Sequence, residues 1–213
     1  TILAPGTNPG ETDAVVKVQD KPFFSGTAML DNQGSLATGA DKFTTSLTFD
    51  NPRGIGDQVA LNANTSQGSD YVKLAYSLPW GHDGARVGAS TSAMQYKLLG
   101  DLASLNAKGD AQLGVNANYP IVRSGTNNVA LSGSFDRKTY YNEASGVATS
   151  KKTVDVAVLV LNGDMLDGLG AGGMTLWGVN VTIGQVDLSA NATNQNADRI
   201  GAKTDGNYQK LGY

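Results

Sequence analysis

His82 is the only histidine among the 213 residues, and it stands in Pro79-Trp80-Gly81-His82-Asp83-Gly84 with a carboxylate beside it. An imidazole, a carboxylate and one of the many serines are the parts of a hydrolytic site, in which the ring takes the hydroxyl proton and the carboxylate holds the ring. The same residues are turn formers, and a turn accounts for all of them without chemistry. Gly168-Leu169-Gly170-Ala171-Gly172-Gly173 matches G-x-G-x-x-G. A dinucleotide site needs a helix after that loop, so that its N-terminus can hold pyrophosphate. Here TLWGVNVTIG follows and reads as a strand, which makes the glycines a turn. With one histidine and no cysteine, metal binding falls to carboxylates, and these are not spaced as a calcium loop. The expectation is therefore no catalytic residue, no cofactor and no metal.

The elements that carry these residues are strands. In Lys42 to Asp50, Phe43, Thr45, Leu47 and Phe49 alternate with Thr44, Ser46, Thr48 and Asp50. Extended chain sends successive side chains to opposite faces, so one face is apolar and the other wet. Val59, Leu61 and Ala63 alternate with Gln58, Asn62 and Asn64, and Val72, Leu74, Tyr76 and Leu78 with Lys73 and Ser77. Asn51-Pro52-Arg53-Gly54-Ile55-Gly56-Asp57 is turn chemistry, which makes the flanking strands antiparallel neighbours. Such alternation fits a soluble sandwich, with the apolar face on a second sheet. It equally fits a membrane barrel, with that face on lipid and the wet face on a water-filled lumen.

Composition narrows the choice. The chain has 27 glycines and no run near the roughly twenty apolar residues that a spanning helix requires. A net charge of −3 with scattered Lys and Arg argues against a nucleic-acid surface. No small-molecule substrate is evident, and no targeting peptide precedes Thr1, which reads as a processed or excised start. Residues 1 to 18 differ from the rest: Pro5, Gly6, Pro9 and Gly10 make a loop, and Ala14 to Val18 a short strand with no hairpin partner.

From Lys21 onward, strands are expected near Phe23 to Leu30, Lys42 to Asp50, Gln58 to Asn64, Tyr71 to Leu78, Ala85 to Tyr96, Ala111 to Tyr119, Val129 to Phe135, Thr153 to Leu161 and Met174 to Val186, with another from Asn207. Thr153 to Leu161 is apolar on both faces apart from Asp155. Connections 51 to 57, 79 to 84, 120 to 128 and 162 to 173 are mostly short and rich in Pro and Gly; 31 to 41, 65 to 70, 97 to 110, 136 to 152 and 187 to 206 are mostly longer and polar. Short turns at one end and long loops at the other is the asymmetry of outer-membrane barrels. Phe23, Phe24, Tyr71, Trp80, Tyr96, Tyr119 and Trp177, near strand ends, are candidates for interfacial girdles. In a bacterial barrel the Asn191-Ala192-Thr193 glycosylation pattern means little.

LDNQGSLATG (30 to 39), FDNPRGIGDQVAL (49 to 61), YVKLAYSLPWGHDGARVGAS (71 to 90), NYPIVRS (118 to 124), SFDRKTY (134 to 140) and DGNYQKLGY (205 to 213) together resemble the outer-membrane transporters of two-partner secretion, the haemolysin secretion/activation family. The resemblance runs through nearly the whole chain in order. It implies an all-β fold: an antiparallel transmembrane β-barrel of which this chain is part, sixteen-stranded in the family, preceded by periplasmic POTRA domains. Residues 1-20 would then be the end of a POTRA-like domain with its linker, and 21-213 the N-terminal portion of the barrel. The family's V-R-G-Y/F hallmark is not found in these residues.

What the resemblance implies for function is translocation of a large unfolded exoprotein, an adhesin, haemolysin or contact-dependent toxin, across the bacterial outer membrane. Its partners would be that secreted passenger and outer-membrane lipid. Thr44, Ser46, Thr48, Asn62, Asn64, Lys73, Arg86, Asn116 and Asn118 are the expected lumen-facing residues, offering a passing chain exchangeable hydrogen bonds. A passive porin or a structural surface β-protein is the alternative. An open sheet of nine or ten strands would leave unpaired backbone in lipid at several kcal/mol per group, so its edges must close with other residues or by association.

Overall fold

The computed structural model describes residues 2–8, 10–15, 21–103, 107–144, 146–167 and 172–213. Strands β1 (Ile2–Pro5) and β2 (Thr12–Val15) form a small antiparallel hairpin. This corrects the expectation of a partnerless strand: apolar Ile2, Leu3 and Ala4 can pair because the turn between them is held by Gly6 N–H donating to Glu11 O (2.9 Å) and by the Asn8 side-chain amide donating to Glu11. The expected continuation over 16 to 18 lies outside the described residues.

Ten further strands form one sheet: β3 (Phe24–Asp31), β4 (Lys42–Asp50), β5 (Gln58–Ser66), β6 (Ser69–Trp80), β7 (Ala85–Tyr96), β8 (Ala107–Arg123), β9 (Asn127–Ala144), β10 (Val147–Asp167), β11 (Gly173–Asp187) and β12 (Gly206–Gly212). Every strand pairs antiparallel with its sequence neighbours, from β3 at one edge to β12 at the other. Short turns allow that order, since antiparallel neighbours need only a hairpin.

No second layer covers this sheet among the described residues, and only Leu188 is a buried apolar side chain there. Register shows how the faces are divided. Opposed residues share a face, so the row Leu47↔Leu61, Leu61↔Leu74, Leu74↔Thr91, Thr91↔Leu113 runs across five strands on one side. On that apolar face Leu74 is 47% exposed, Leu113 64%, Leu159 53% and Ile183 55%. Their polar neighbours on β6, Lys73 and Ser77, are half-buried. A sandwich would show the reverse, because burying apolar surface is what holds a water-soluble domain together. This is the inside-out pattern of a sheet whose apolar face meets hydrocarbon.

The apolar face is bounded at both ends. Phe24, Phe49, Trp80, Tyr119 and Trp177 line the end where β3 begins, with Phe24 and Phe49 in ring contact at 5.3 Å. Asp70, Gln95, Arg137, Asp155 and Gln185 mark the other end. The Arg137 guanidinium lies 3.6 Å from the Asp155 carboxylate, which explains the one charge within the stretch 153–161. Tyr71 and Tyr96, expected in a girdle, sit on the opposite face, because they are opposed to Asn64 and Ser69 respectively. Their position in the chain was suitable and their parity was not.

Strand reaches into several expected connections. Residues 136–144 and 147–152 continue the β9–β10 ladder past Arg137, polar on both faces, with Tyr140 opposed to Lys152 and the ammonium 4.9 Å from the ring centroid. Residues 162 to 167 likewise extend β10. Cross-strand pairs of Thr and Tyr stabilise extended chain even where neither face is apolar. Connection 187 to 206 holds helix α1 (Ala192–Ile200), whose N-cap is Asn191, accepting from Asn194 N–H at 3.0 Å. Capping accounts for the asparagine of the glycosylation pattern. The 168–173 glycine motif lies mostly outside the described residues.

Parity predicts a clear contrast on β10. In the full-length protein refolded into bilayers, Leu159→Arg costs about 2–4 kcal/mol, whereas Val160→Thr on the other face changes stability by less than about 1 kcal/mol. Denaturant titration measures both.

Candidate functional site: the polar face and its two ends

The nine residues singled out for the wet side all fall on the polar face. Thr44 opposes Asn64, Ser46 opposes Asn62, and Asn62 in turn opposes Lys73; Thr48 opposes Ser25. Arg86 opposes Asn118, and Asn116 opposes Gly88. Ser46 Oγ donates to Asn62 Oδ1 at 2.6 Å, and Asn118 Nδ2 to Ser132 Oγ at 2.7 Å. Asn116 and Asn118 are exposed and the other seven are half-buried. They form no compact cluster; they tile a surface from β4 to β8.

Three more pairs extend that surface: Gln58 Nε2 to Asp50 Oδ1 (2.8 Å), Gln112 Nε2 to Asp136 Oδ1 (2.6 Å) and Asn128 Nδ2 to Asp164 Oδ2 (3.0 Å). Each bond crosses between adjacent strands, so the carboxylates are held by neutral amides. Gln58, Asp50 and Gln112 already stand on the wet side of the alternation in their strands; Asp136, Asn128 and Asp164 needed the register. On β10 the polar face changes character, because Val154, Val156, Val158 and Val160 lie there and oppose Lys138, Asp136, Ser134 and Ser132. The strand that read as apolar on both faces is therefore so in the fold, and it interrupts the hydrophilic surface with one branched aliphatic row.

The end near the aromatic residues is closed by the 51–57 turn. Asn51 has φ of 59°, Gly54 of 76° and Gly56 of 77°, a backbone that favours Asn and Gly. Asn51 N–H donates to Asp57 O and Gly56 N–H to Asn51 Oδ1, both at 2.6 Å. Asp57, 1% exposed, accepts from Tyr76 OH at 2.8 Å and Arg53 N–H at 3.2 Å. Burial pushes its carboxyl up, but these hydrogen bonds and the Arg53 charge more than reverse that and leave it below the usual carboxylate value. Arg86 reaches from the polar face to this turn, donating to Gly56 O (3.1 Å) and Ser77 Oγ (3.0 Å). Its guanidinium is thus committed to structure on two sides. His82 sits in the neighbouring 81–84 turn, exposed, between Gly81 and Gly84, both of positive φ.

At the other end the 32–41 loop is fastened down. Gly68 N–H donates to Thr38 O (2.7 Å), Lys97 N–H to Gly68 O (2.8 Å) and Leu99 N–H to Ala37 O (2.8 Å), joining three successive connections. Gly68 is required for close approach, since a Cβ there would lie 2.5 Å from Lys97 O. Thr38 thereby reaches the polar side, where a cavity of about 350 Å³ is lined by Thr38, Ser69, Tyr96, Asp110, Tyr140 and Lys152. Among the described residues, no group of three or more His, Cys, Asp or Glu is placed to share a cation.

An antiparallel sheet with an exposed, girdled apolar face and a polar face opposite is the wall of a membrane β-barrel. Residues 10–209 match the haemolysin secretion/activation protein family, ShlB/FhaC/HecB. The chain belongs to that family, whose members are outer-membrane secretion proteins and not enzymes. It is 26% identical over 153 residues to the heme/hemopexin transporter protein HuxB of Haemophilus influenzae, covering 70% of this chain and 27% of the relative. It is 35% identical over 97 residues to the outer membrane transporter CdiB-2 of Burkholderia pseudomallei, covering 42% and 17%. The structure of CdiB from Escherichia coli superposes with a TM-score of 0.67 at 19% identity, over 86% of this chain and 35% of that one, which shows a shared fold. The chain spans under a third of the length of these two curated relatives.

The depressed Asp57 carboxyl sets a pH dependence for the turn. Because its folded pKa lies below the unfolded value near 3.9, its support is complete above that value and is lost as pH falls through the folded one. Protection of the amides of residues 51–57 in the full-length protein, measured as hydrogen exchange relative to the intrinsic rate at each pH, is expected to fall in that acid window, and Asp57→Asn to lower it already at neutral pH.

Proposed function

We propose that this chain is the N-terminal barrel portion of an outer-membrane transporter that moves a large, unfolded exoprotein from periplasm to cell surface. The carrying observation is the continuous polar face from β4 to β8, opposite an exposed apolar face, in a member of a secretion family. Thr44, Ser46, Thr48, Asn62, Asn64, Lys73, Arg86, Asn116 and Asn118 line the lumen. The amides and hydroxyls among them exchange hydrogen bonds with a passing backbone. The passenger is of the adhesin, haemolysin or contact-dependent toxin kind. Relatives named as a heme/hemopexin transporter and as outer membrane transporters support this reading.

Residues 1-20 close a POTRA-like periplasmic domain and lead into the barrel at 21. The girdled end with its 51–57 turn then faces the periplasm, and the fastened 32–41 loop, the long β9–β10 hairpin and α1 face outward. Ten strands leave β3 and β12 as edges, and a sixteen-stranded barrel is closed by residues beyond these. The energy for transport comes from the passenger folding outside.

In cells carrying the full-length gene and its cognate exoprotein, deleting the gene is expected to leave the passenger in the periplasm. Replacing Asn62, Asn116 and Asn118 together by Leu lowers secretion while surface proteolysis shows the barrel folded and abundant. Unchanged secretion overturns the lumen assignment. Steady ion conductance with no passenger released would instead make the barrel a porin.

A further inference from the structure

Glycine weakens a strand unless something needs the room, so each glycine on the apolar face asks what fills it. A Cβ at Gly26 would meet Leu47 Cδ2 at 2.8 Å, and one at Gly163 would meet the Trp177 ring at 2.7 Å. In both places a cross-strand side chain already lies over the gap. Gly133, opposed to Ala117 and Leu159 on the same face, is different, since a Cβ there would meet nothing nearer than Leu159 Cδ1 at 3.8 Å. Its space is left empty by the chain itself.

That space belongs to an open-sided trough of about 660 Å³, within the roughly 300–1,000 Å³ of small-molecule sites. Ala89, Ala117 and Gly133 are its small lining residues, with Val87 and Val115 in the same cross-strand rows, and Tyr76, Trp80 and Phe135 are its aromatic ones. It opens inside the apolar band, where the surrounding solvent is hydrocarbon, and it starts at the aromatic girdle. There Arg53 adds a charge: its Nη1 lies 3.4 Å from Tyr76 OH, and the side chain is exposed. Asp57 accepts from Tyr76 OH and is itself buried, so the exposed charge at this corner is that of Arg53. An apolar trough with a cation at its interfacial mouth is complementary to a lipid with an anionic head and a flexible apolar tail.

We propose that the trough seats one acyl chain of an anionic phospholipid whose phosphate lies against Arg53. The room left at Gly133, Ala117 and Ala89 beside the aromatic rings gives the chain a fixed groove in place of the ordinary fluid contact. The site depends on which face meets lipid and is independent of the passenger, so its failure and that of the transport reading are separable.

The test uses the full-length protein, delipidated in mild detergent, titrated with phosphatidylglycerol or phosphatidylcholine and weighed by native mass spectrometry. Wild type is expected to retain one phosphatidylglycerol in preference to phosphatidylcholine. Gly133→Leu fills the space left at that position and weakens retention about tenfold. Gly133→Ala, which has room for its methyl, gives a smaller loss and guards against misfolding, checked by resistance to dodecyl sulfate before heating. Arg53→Gln abolishes the preference for the anionic head, and Ala93→Leu, on the same face outside the trough, changes nothing. Equal retention by wild type and Gly133→Leu, no head-group preference, or a dimer in place of the bound lipid overturns the proposal.

Discussion

A backbone amide in hydrocarbon has no water to turn to, and that constraint dictates the rest of this molecule. Antiparallel pairing of each strand with its sequence neighbours satisfies those amides using only hairpins, and ten strands follow one another without a crossover. Side chains are then free to serve two solvents, one on each face. The usual apolar core is nearly absent, with Leu188 its one buried apolar member among the described residues. Cohesion resides in the ladder of hydrogen bonds and in the bilayer, and the protein packs against its surroundings more than against itself.

Much of this was legible because period-two alternation is a strong signal where both faces have fixed environments. Phe43 to Asp50 and Val72 to Leu78 declare their parity unaided, and the nine polar residues chosen from such runs fall on one face. Ambiguity between a sandwich and a membrane wall could not be resolved by alternation, which is identical in both. The exposure of Leu113 and Leu159 resolves it. Aromatics misled where position was used without parity, as with Tyr71 and Tyr96.

Boundaries were harder to read where hydropathy stops varying. Beyond Arg137 the β9 sequence is polar on both faces, so it resembles a loop, yet cross-strand contacts such as Lys152 over Tyr140 keep it extended. The hairpin at Ile2–Pro5 was missed for a related reason, since four residues are too few to show a period. The site was less legible than the fold. Asp57 reads as an ordinary turn residue until Tyr76, nineteen positions later, is brought onto its carboxylate. Gly133 reads as one strand glycine among several until the neighbours that fill the others are seen.

Strand β10 runs for 21 residues, on the order of 70 Å of chain at about 3.3 Å per residue, and a tilt near 45° leaves it about 50 Å tall against an apolar band of about 25 Å. Roughly half of the β9–β10 hairpin therefore stands clear of the bilayer as a stiff blade. On the proposed orientation, the crest of that blade, its polar stretch beyond Arg137, stands on the outer side of the membrane. Sequence drift at that crest leaves the lipid-embedded wall undisturbed, so recognition from outside and insertion in the membrane can evolve on separate stretches of the same two strands.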